Sequence, residues 1–184
     1  MKIKIRNVRL AFPELFKAVT VNGEGDPAYS ACFLLPKDHP DLAAIREAVK
    51  TLAVDKWKDQ ASANMKSINA NQRGLPKDGD TKAEYAGFEG MLYINARNKK
   101  RPDCRDRAAN PVSESDGVFY SGCYVDAILD LWAQDNKYGK RINASLLGVQ
   151  FRKDGEPLTS GGRAEDSDFE TLEDDTSETM GDFF

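Results

Sequence analysis

The chain has 184 residues, 40% of them hydrophobic, enough to bury one core and too few for more than one domain with appendages. Its net charge of -4 averages two unlike parts: residues 164–184 hold nine acids and no base, whereas residues 1–163 hold 26 bases against 21 acids, about +5. No apolar run approaches the roughly 20 residues of a membrane span, and residues 1–12 lack the apolar stretch of a signal peptide, so a cytoplasmic protein with no membrane partner is expected.

Residues 2–10 alternate apolar and charged side chains and read as a half-buried strand with one register shift after Asn7. Phe12, Pro13 and Phe16 follow in a loop, then a turn at residues 22–27 rich in Asn, Gly and Pro. Residues 29–35 form a second strand, stopped by Pro36. From residue 41 to about 60 the period becomes helical, with Leu42, Ile45, Val49, Leu52 and Lys56 or Trp57 on one face and Asp38 or Asp41 as the cap. Residues 62–84 show little apolar period and read as a long loop.

A third strand at residues 91–97 places Leu92, Ile94 and Ala96 on one face and Met91, Tyr93, Asn95 and Arg97 on the other. Residues 98–115 read as a basic loop carrying Lys99, Lys100, Arg101, Arg105 and Arg107. A hairpin then pairs residues 124–133 with 140–151 across a turn at 134–139, and the inward set of the second arm changes phase near Leu146 to Gly148, which implies a bulge. Five strands, one helix, long loops and no βαβ alternation point to a mainly β domain, a five-stranded OB-fold barrel with enlarged loops over residues 1–163. Residues 164–184 form a disordered acidic tail.

Catalytic signals are weak. His39, the only histidine, reads as a solvated residue at a helix start, and Cys32, Cys104 and Cys123 stand too far apart for a disulfide framework or zinc site, so neither metal nor cofactor is expected. Asp78 and Asp80 flank a glycine as turn residues do. A metal-dependent nuclease or DNA-processing enzyme using Asp78, Asp80 and Glu84 is one alternative, and a protein-binding adaptor is another.

Nucleic-acid signals are stronger, because single strands are held by cations on phosphates and by exposed rings on unpaired bases. Tyr93 with Arg97, Tyr124 with Trp132, and Tyr138 beside Lys137, Lys140 and Arg141 supply both. Val125, Ala127, Leu129 and Leu131 are the expected inward set, which turns Tyr124 and Trp132 outward. The tail ends in Asp182-Phe183-Phe184; two rings are a poor choice for solubility and suit docking to a basic, apolar pocket. An acidic tail can also occupy the protein's own basic groove when DNA is absent.

The run Tyr29-Ser30-Ala31-Cys32-Phe33-Leu34-Leu35-Pro36-Lys37, the loop Leu75-Pro76-Lys77-Asp78-Gly79-Asp80, the phrase Tyr120-Ser121-Gly122-Cys123-Tyr124 and the segment from Gly148-Val149-Gln150 to Asp154-Gly155-Glu156-Pro157-Leu158 resemble a family of tailed-phage OB-fold single-stranded-DNA-binding proteins, over residues 12–168 in the same order. The resemblance implies protection of single-stranded DNA in phage replication or recombination. Duplex would bind more weakly, and the tail would recruit replication or recombination proteins. Gly79 and Gly122 look like turn glycines and are not carried over as binding residues.

Overall fold

The first strand, β1 (Lys2–Val21), is twice as long as its opening alternation suggests. In this computed structural model, which describes residues 1–158 and 166–171, β1 continues through Phe12 and Phe16 because two irregularities let it bend. Asn7 and Phe12 adopt φ of 53° and 47°, and the pairing shifts register beside each of them. The amide that the first shift frees is not left bare: the Asn7 N–H donates to Asp126 Oδ1 at 2.9 Å. Asn22 and Gly23, both with positive φ, make a two-residue turn into β2 (Glu24–Pro36), so the expected turn over residues 22–27 shrinks to its first two.

The helical period gives α1 (Leu42–Trp57), which buries Leu42, Ile45, Val49 and Trp57. Asp41 stands at the N-cap position as expected, but its side chain makes no capping hydrogen bond. The Asp41 carboxylate instead accepts the Arg6 N–H at 2.8 Å. His39 is not solvated either: it is buried, its Nδ1 accepts the Asp41 N–H, and its Nε2 therefore donates to the Arg6 carbonyl at 2.7 Å, tying the start of α1 to β1. A second helix, α2 (Ala61–Ala70), replaces the first part of the expected loop. Its buried positions, Ala61 and Ile68 with Met65 partly covered, have helical spacing, but the intervening Ser and Asn residues mask it in the sequence.

Two very short strands, β3 (Lys77–Asp78) and β5 (Asp103–Arg105), flank the sheet, whose long members are β1, β2, β4 (Met91–Asn98), β6 (Tyr124–Asn136) and β7 (Gly139–Lys153). The order is β3-β4-β2-β1-β6-β7-β5, antiparallel except for β5 along β7. Five long strands match the expected OB-like architecture. The curl brings β4 against β7, where the Asn98 side-chain amide donates to the Leu146 carbonyl at 3.0 Å, but no ladder joins them among the described residues. The barrel is therefore open. The bulge falls where the sequence places it: Leu129 faces Leu146 and Ile128 faces Gly148, leaving Leu147 as the extra residue. The inward set consequently resumes at Val149 rather than at Leu147.

Ile5, Phe33, Ile94, Leu129, Leu131 and Leu146 fill the interior, and α1 packs against it. The Trp57 indole N–H donates to Asp135 at 2.8 Å. Among the described residues no helix is long and apolar enough to cross a membrane. The three cysteines are buried thiols; burial pushes Cys32 up to about 12 and Cys104 up to about 11. Gly122 has φ of 115°, and an added Cβ would meet the Glu156 carbonyl, so this glycine serves the turn as expected.

On the outer face, Asp126 receives Arg152 Nε and Nη2 at 2.8 and 3.0 Å besides the Asn7 N–H. Burial pushes its carboxyl up, but those hydrogen bonds and the charges of Arg152 and Lys4 outweigh burial and hold it below the usual 3.8. A depressed carboxylate contributes stability that is present in full above 3.8 and lost as pH falls through its folded value. Asp126→Asn is therefore expected to lower stability at pH 7 and to flatten the acid limb of a urea-unfolding pH series. An unchanged acid limb would show that this carboxylate is not among those that set it.

Candidate nucleic-acid interface

Register places one transverse row of side chains on the face turned away from the barrel interior. Lys77 pairs with Tyr93, Tyr93 with Leu34, Leu34 with Arg9, Arg9 with Tyr124 and Tyr124 with Lys153, crossing β3, β4, β2, β1, β6 and β7. Cations thus stand at both ends and in the middle. Tyr124 lies between two of them, with the Lys153 ammonium 4.7 Å and the Arg9 guanidinium 5.8 Å from its ring centroid. Arg9 is held in place by the carbonyls of Gly122 and Glu156.

Tyr93 is not an open ring. It is 3% exposed and sits with Ala11, Cys32, Leu34 and Phe88 in a second apolar cluster on the outside of the sheet, its centroid 5.4 Å from that of Phe88. The sequence expectation that it stacks on bases is corrected accordingly: the face of β4 that alternation assigns to solvent is roofed by residues 85–88 and Leu158. The exposed rings at this place are Phe12 and Tyr85, 54% and 41% exposed and 5.3 Å apart edge-on. Sequence reading missed both, because each lies in a segment without apolar period. The positive φ of Phe12 is what turns a strand residue outward here.

Lys82 and Lys77 stand beside these rings, and Arg141 is close enough to Lys77 to act on its charge. The Lys82 ammonium lies 5.8 Å from the centroids of both Tyr85 and Tyr93. Burial lowers the pKa of Lys77, and the positive charges of Arg141 and Lys82 lower it further. No carboxylate forms an ion pair with Lys77, Lys82 or Arg141 among the described residues. Like charges held together without a counter-charge are a standing attraction for an anion. Arg141 is an expected site residue; Lys77 and Lys82 are not. The cluster extends toward the β6–β7 tip, where Arg73 lies over Gly139. There Tyr138 is 69% exposed with the Lys137 ammonium 5.0 Å from its ring centroid, and Lys140 is exposed.

The remaining expected residues stand elsewhere. Trp132 is 42% exposed on the outer face of β6, as its alternation predicts, its indole N–H on Ser145 Oγ at 3.1 Å. The basic segment is less free than a loop. Arg97 donates to the Asp26 carbonyl at 2.7 Å, Lys99 pairs with the Asp26 carboxylate at 2.5 Å, and the Arg101 guanidinium lies 5.3 Å from the Phe16 ring centroid, all bracing the β1–β2 hairpin. The Lys99 hydrogen bond and charge hold the Asp26 carboxyl below its usual range. Arg105 lies in β5 and grips Asp103, and Arg107 donates to the Arg152 carbonyl on β7. Lys100 is exposed and pairs with no carboxylate among the described residues. Asp182, Phe183 and Phe184 lie outside the described residues.

A family profile described as Enterobacter phage Enc34, ssDNA-binding protein, matches residues 1–180. The chain belongs to this family. A protein called p50 from Acyrthosiphon pisum secondary endosymbiont phage 1 is 45% identical over 175 residues, 94% of either chain. The solved single-stranded-DNA-binding protein of bacteriophage Enc34, in complex with ssDNA, is 34% identical with a TM-score of 0.66, over 86% of this chain and 89% of that one. The single-stranded-DNA-binding protein of bacteriophage T7 shares the fold: TM-score 0.55 at 12% identity, over 89% of this chain and 98% of that one. The family that the sequence motifs resemble is thus the family to which the chain belongs.

Proposed function

We propose that this protein coats single-stranded DNA with little sequence preference during phage replication or recombination, in the cytoplasm of an infected or lysogenic bacterium, without catalysing a reaction. The observation that carries this reading is the uncompensated cluster of Lys77, Lys82 and Arg141 beside the exposed rings of Phe12 and Tyr85. Cations take phosphates of any sequence, and rings take the face of any unpaired base. A paired duplex offers its phosphates but not its base faces, so duplex binds more weakly. Membership in a family whose Enc34 relative was solved with ssDNA supports the same reading. The acidic segment with Asp182, Phe183 and Phe184 recruits replication or recombination proteins.

Two of the three carboxylates of the nuclease alternative, those of Asp78 and Asp80, have structural work. Asp78 accepts the Asp80 N–H at 3.0 Å; Asp80 accepts the Gly90 N–H at 2.7 Å and lies 3.6 Å from the Lys37 ammonium. Titration of tryptophan fluorescence with oligo-dT, in Mg²⁺ and with the oligonucleotide recovered afterwards, tests the proposal. Quenching with intact oligonucleotide is expected, and cleavage would favour the nuclease.

The basic segment has its own signature. Lys99→Glu, Lys100→Glu and Arg101→Glu together are expected to weaken all sequences alike and to flatten the plot of log K against log salt by about 0.7 for each phosphate no longer neutralised. Since Lys99 is committed to Asp26 and Arg101 lies against the Phe16 ring, a slope change worth a single phosphate matches Lys100. An unchanged slope removes this segment from the interface.

A further inference from the structure

The groove between α1 and α2 is the largest concavity among those found in the described residues, and the interface above uses only its edge. It encloses about 640 Å³ between the two helices and residues 72–78, within the about 300–1,000 Å³ of sites that bury an organic ligand. Its walls are sorted by charge. α1 carries two acids and three bases, yet only Arg46 and Lys50 among them line the groove; Glu47, Asp55 and Lys56 do not. Both lining side chains are exposed, stand one helical turn apart and pair with no carboxylate among the described residues. Like charges at that spacing destabilise a helix, so their placement gains nothing for α1 itself.

The one acid in the lining, Asp78, accepts the Asp80 N–H, and Lys37 lies 3.6 Å from the Asp80 carboxylate. That leaves Arg46, Lys50 and Lys77 without a carboxylate partner among the described residues. Val49, Met65 and Leu75 supply an apolar floor. Beside it the Asn69 amide lies over Gly74, with a donor and an acceptor for the edge of a planar ring. The groove therefore suits a ligand that combines negative charge with flat, apolar faces.

Lys77 joins this groove to the interface. It pairs with Tyr93 as the first member of the transverse row, and the next residue, Asp78, pairs with Leu92, which also lines the groove. A strand of nucleic acid lying along that row reaches the groove at Lys77 without leaving a cationic surface. We propose that the α1–α2 groove continues the single-strand path beyond the barrel, its phosphates on Arg46 and Lys50 and its bases against Val49, Met65 and Leu75. This inference rests on the DNA-binding reading of the barrel. Nucleotides tethered to those already held arrive at high local concentration, so contacts that are weak alone suffice. An acidic, aromatic protein segment has similar chemistry, but the continuity through Lys77 favours DNA.

Salt titrations of the full chain with oligo-dT of about 4 and about 20 nucleotides test the path, since one OB-fold takes about 4–16. Arg46→Gln with Lys50→Gln is expected to lower the slope of log K against log salt by about 1.4 on the long strand, two phosphates at about 0.7 each, which is about a 25-fold loss at 0.1 M. On the short strand the same variant should bind as the intact chain does. Lys56→Gln with Lys66→Gln removes the same charge from exposed positions on the two helices outside the lining, and both slopes are expected to stay unchanged. A long-strand slope that ignores Arg46 and Lys50 overturns the groove, and so does an equal loss in the control pair, which would reduce the effect to net charge. An equal loss on the short strand makes the groove a first contact and overturns its role as a continuation. Photocrosslinking of the long strand with iodouracil in place of thymine locates the bases, and an adduct on Met65 is expected. Adducts confined to the barrel overturn the proposal and leave the groove to an acidic protein segment, whereas no binding of either strand by the intact chain refutes the DNA-binding reading itself.

Discussion

Replacing Lys77, Lys82 and Arg141 together by Gln is expected to reduce affinity for oligo-dT about a hundredfold at 0.1 M salt. The figure follows from counterion release: each phosphate neutralised on a single strand contributes a slope of about 0.7 in log K against log salt, so three such phosphates are worth about two decades at that concentration and lower the slope by about two. The fold should survive, because the three cations repel one another and removing them relieves that repulsion. Salt titrations of intact and triply substituted protein decide the matter. A parallel pair of lines would show that the cluster is not on the DNA path, whatever the overall affinity.

The rings give the second large effect, and it separates two tyrosines that look alike in the sequence. Tyr85→Ala or Phe12→Ala is expected to cost roughly 1–3 kcal/mol of single-strand binding, the worth of one stacked base, with little loss of stability from exposed side chains. Tyr93→Ala should do the opposite. Emptying the space beneath Phe88 costs about 3–5 kcal/mol of stability, as aromatic truncations in cores do, and lowers DNA binding only as far as the cluster around Phe88 and Leu34 collapses. Urea unfolding and oligo-dT titration on the same three variants discriminate. Tyr85→Ala binding as tightly as the intact chain would remove the exposed pair from the interface, leaving Trp132, Tyr138 and Tyr124 as the rings to test.

The family's chemistry needs cations and rings in reach of one strand of nucleic acid, and the open barrel supplies them through register rather than through any contiguous motif. Arg9, Leu34, Tyr93, Tyr124 and Lys153 come from five different strands. Their alignment depends on the pairing shifts at Ile5/Val8 in β1 and at Tyr124/Val125 against β7. An unbulged ladder would set different residues beside Tyr124 and part it from one or both of its cations.

What was legible without a structure is what short-range periodicity determines. Period-two alternation located every long strand, though only the first half of β1 and the latter part of β2, and the phase change at Leu146 to Gly148 located the bulge. A helical period sufficed for α1, and counting charges sufficed to separate a basic body from an acidic tail. Alternation fixes that a strand has two faces, but not which objects later cross each face. Tyr93 and Arg97 share one face of β4, yet residues 85–88 roof the first and leave the second exposed. Trp132 was legible because no described segment crosses its face. The cluster of Lys77, Lys82 and Arg141 was not, since its members lie in a two-residue strand, a 3₁₀ turn and a hairpin arm that meet only when the sheet curls β4 toward β7. Charge is a long-range property of the folded surface, and only the tertiary structure decides which charges become neighbours.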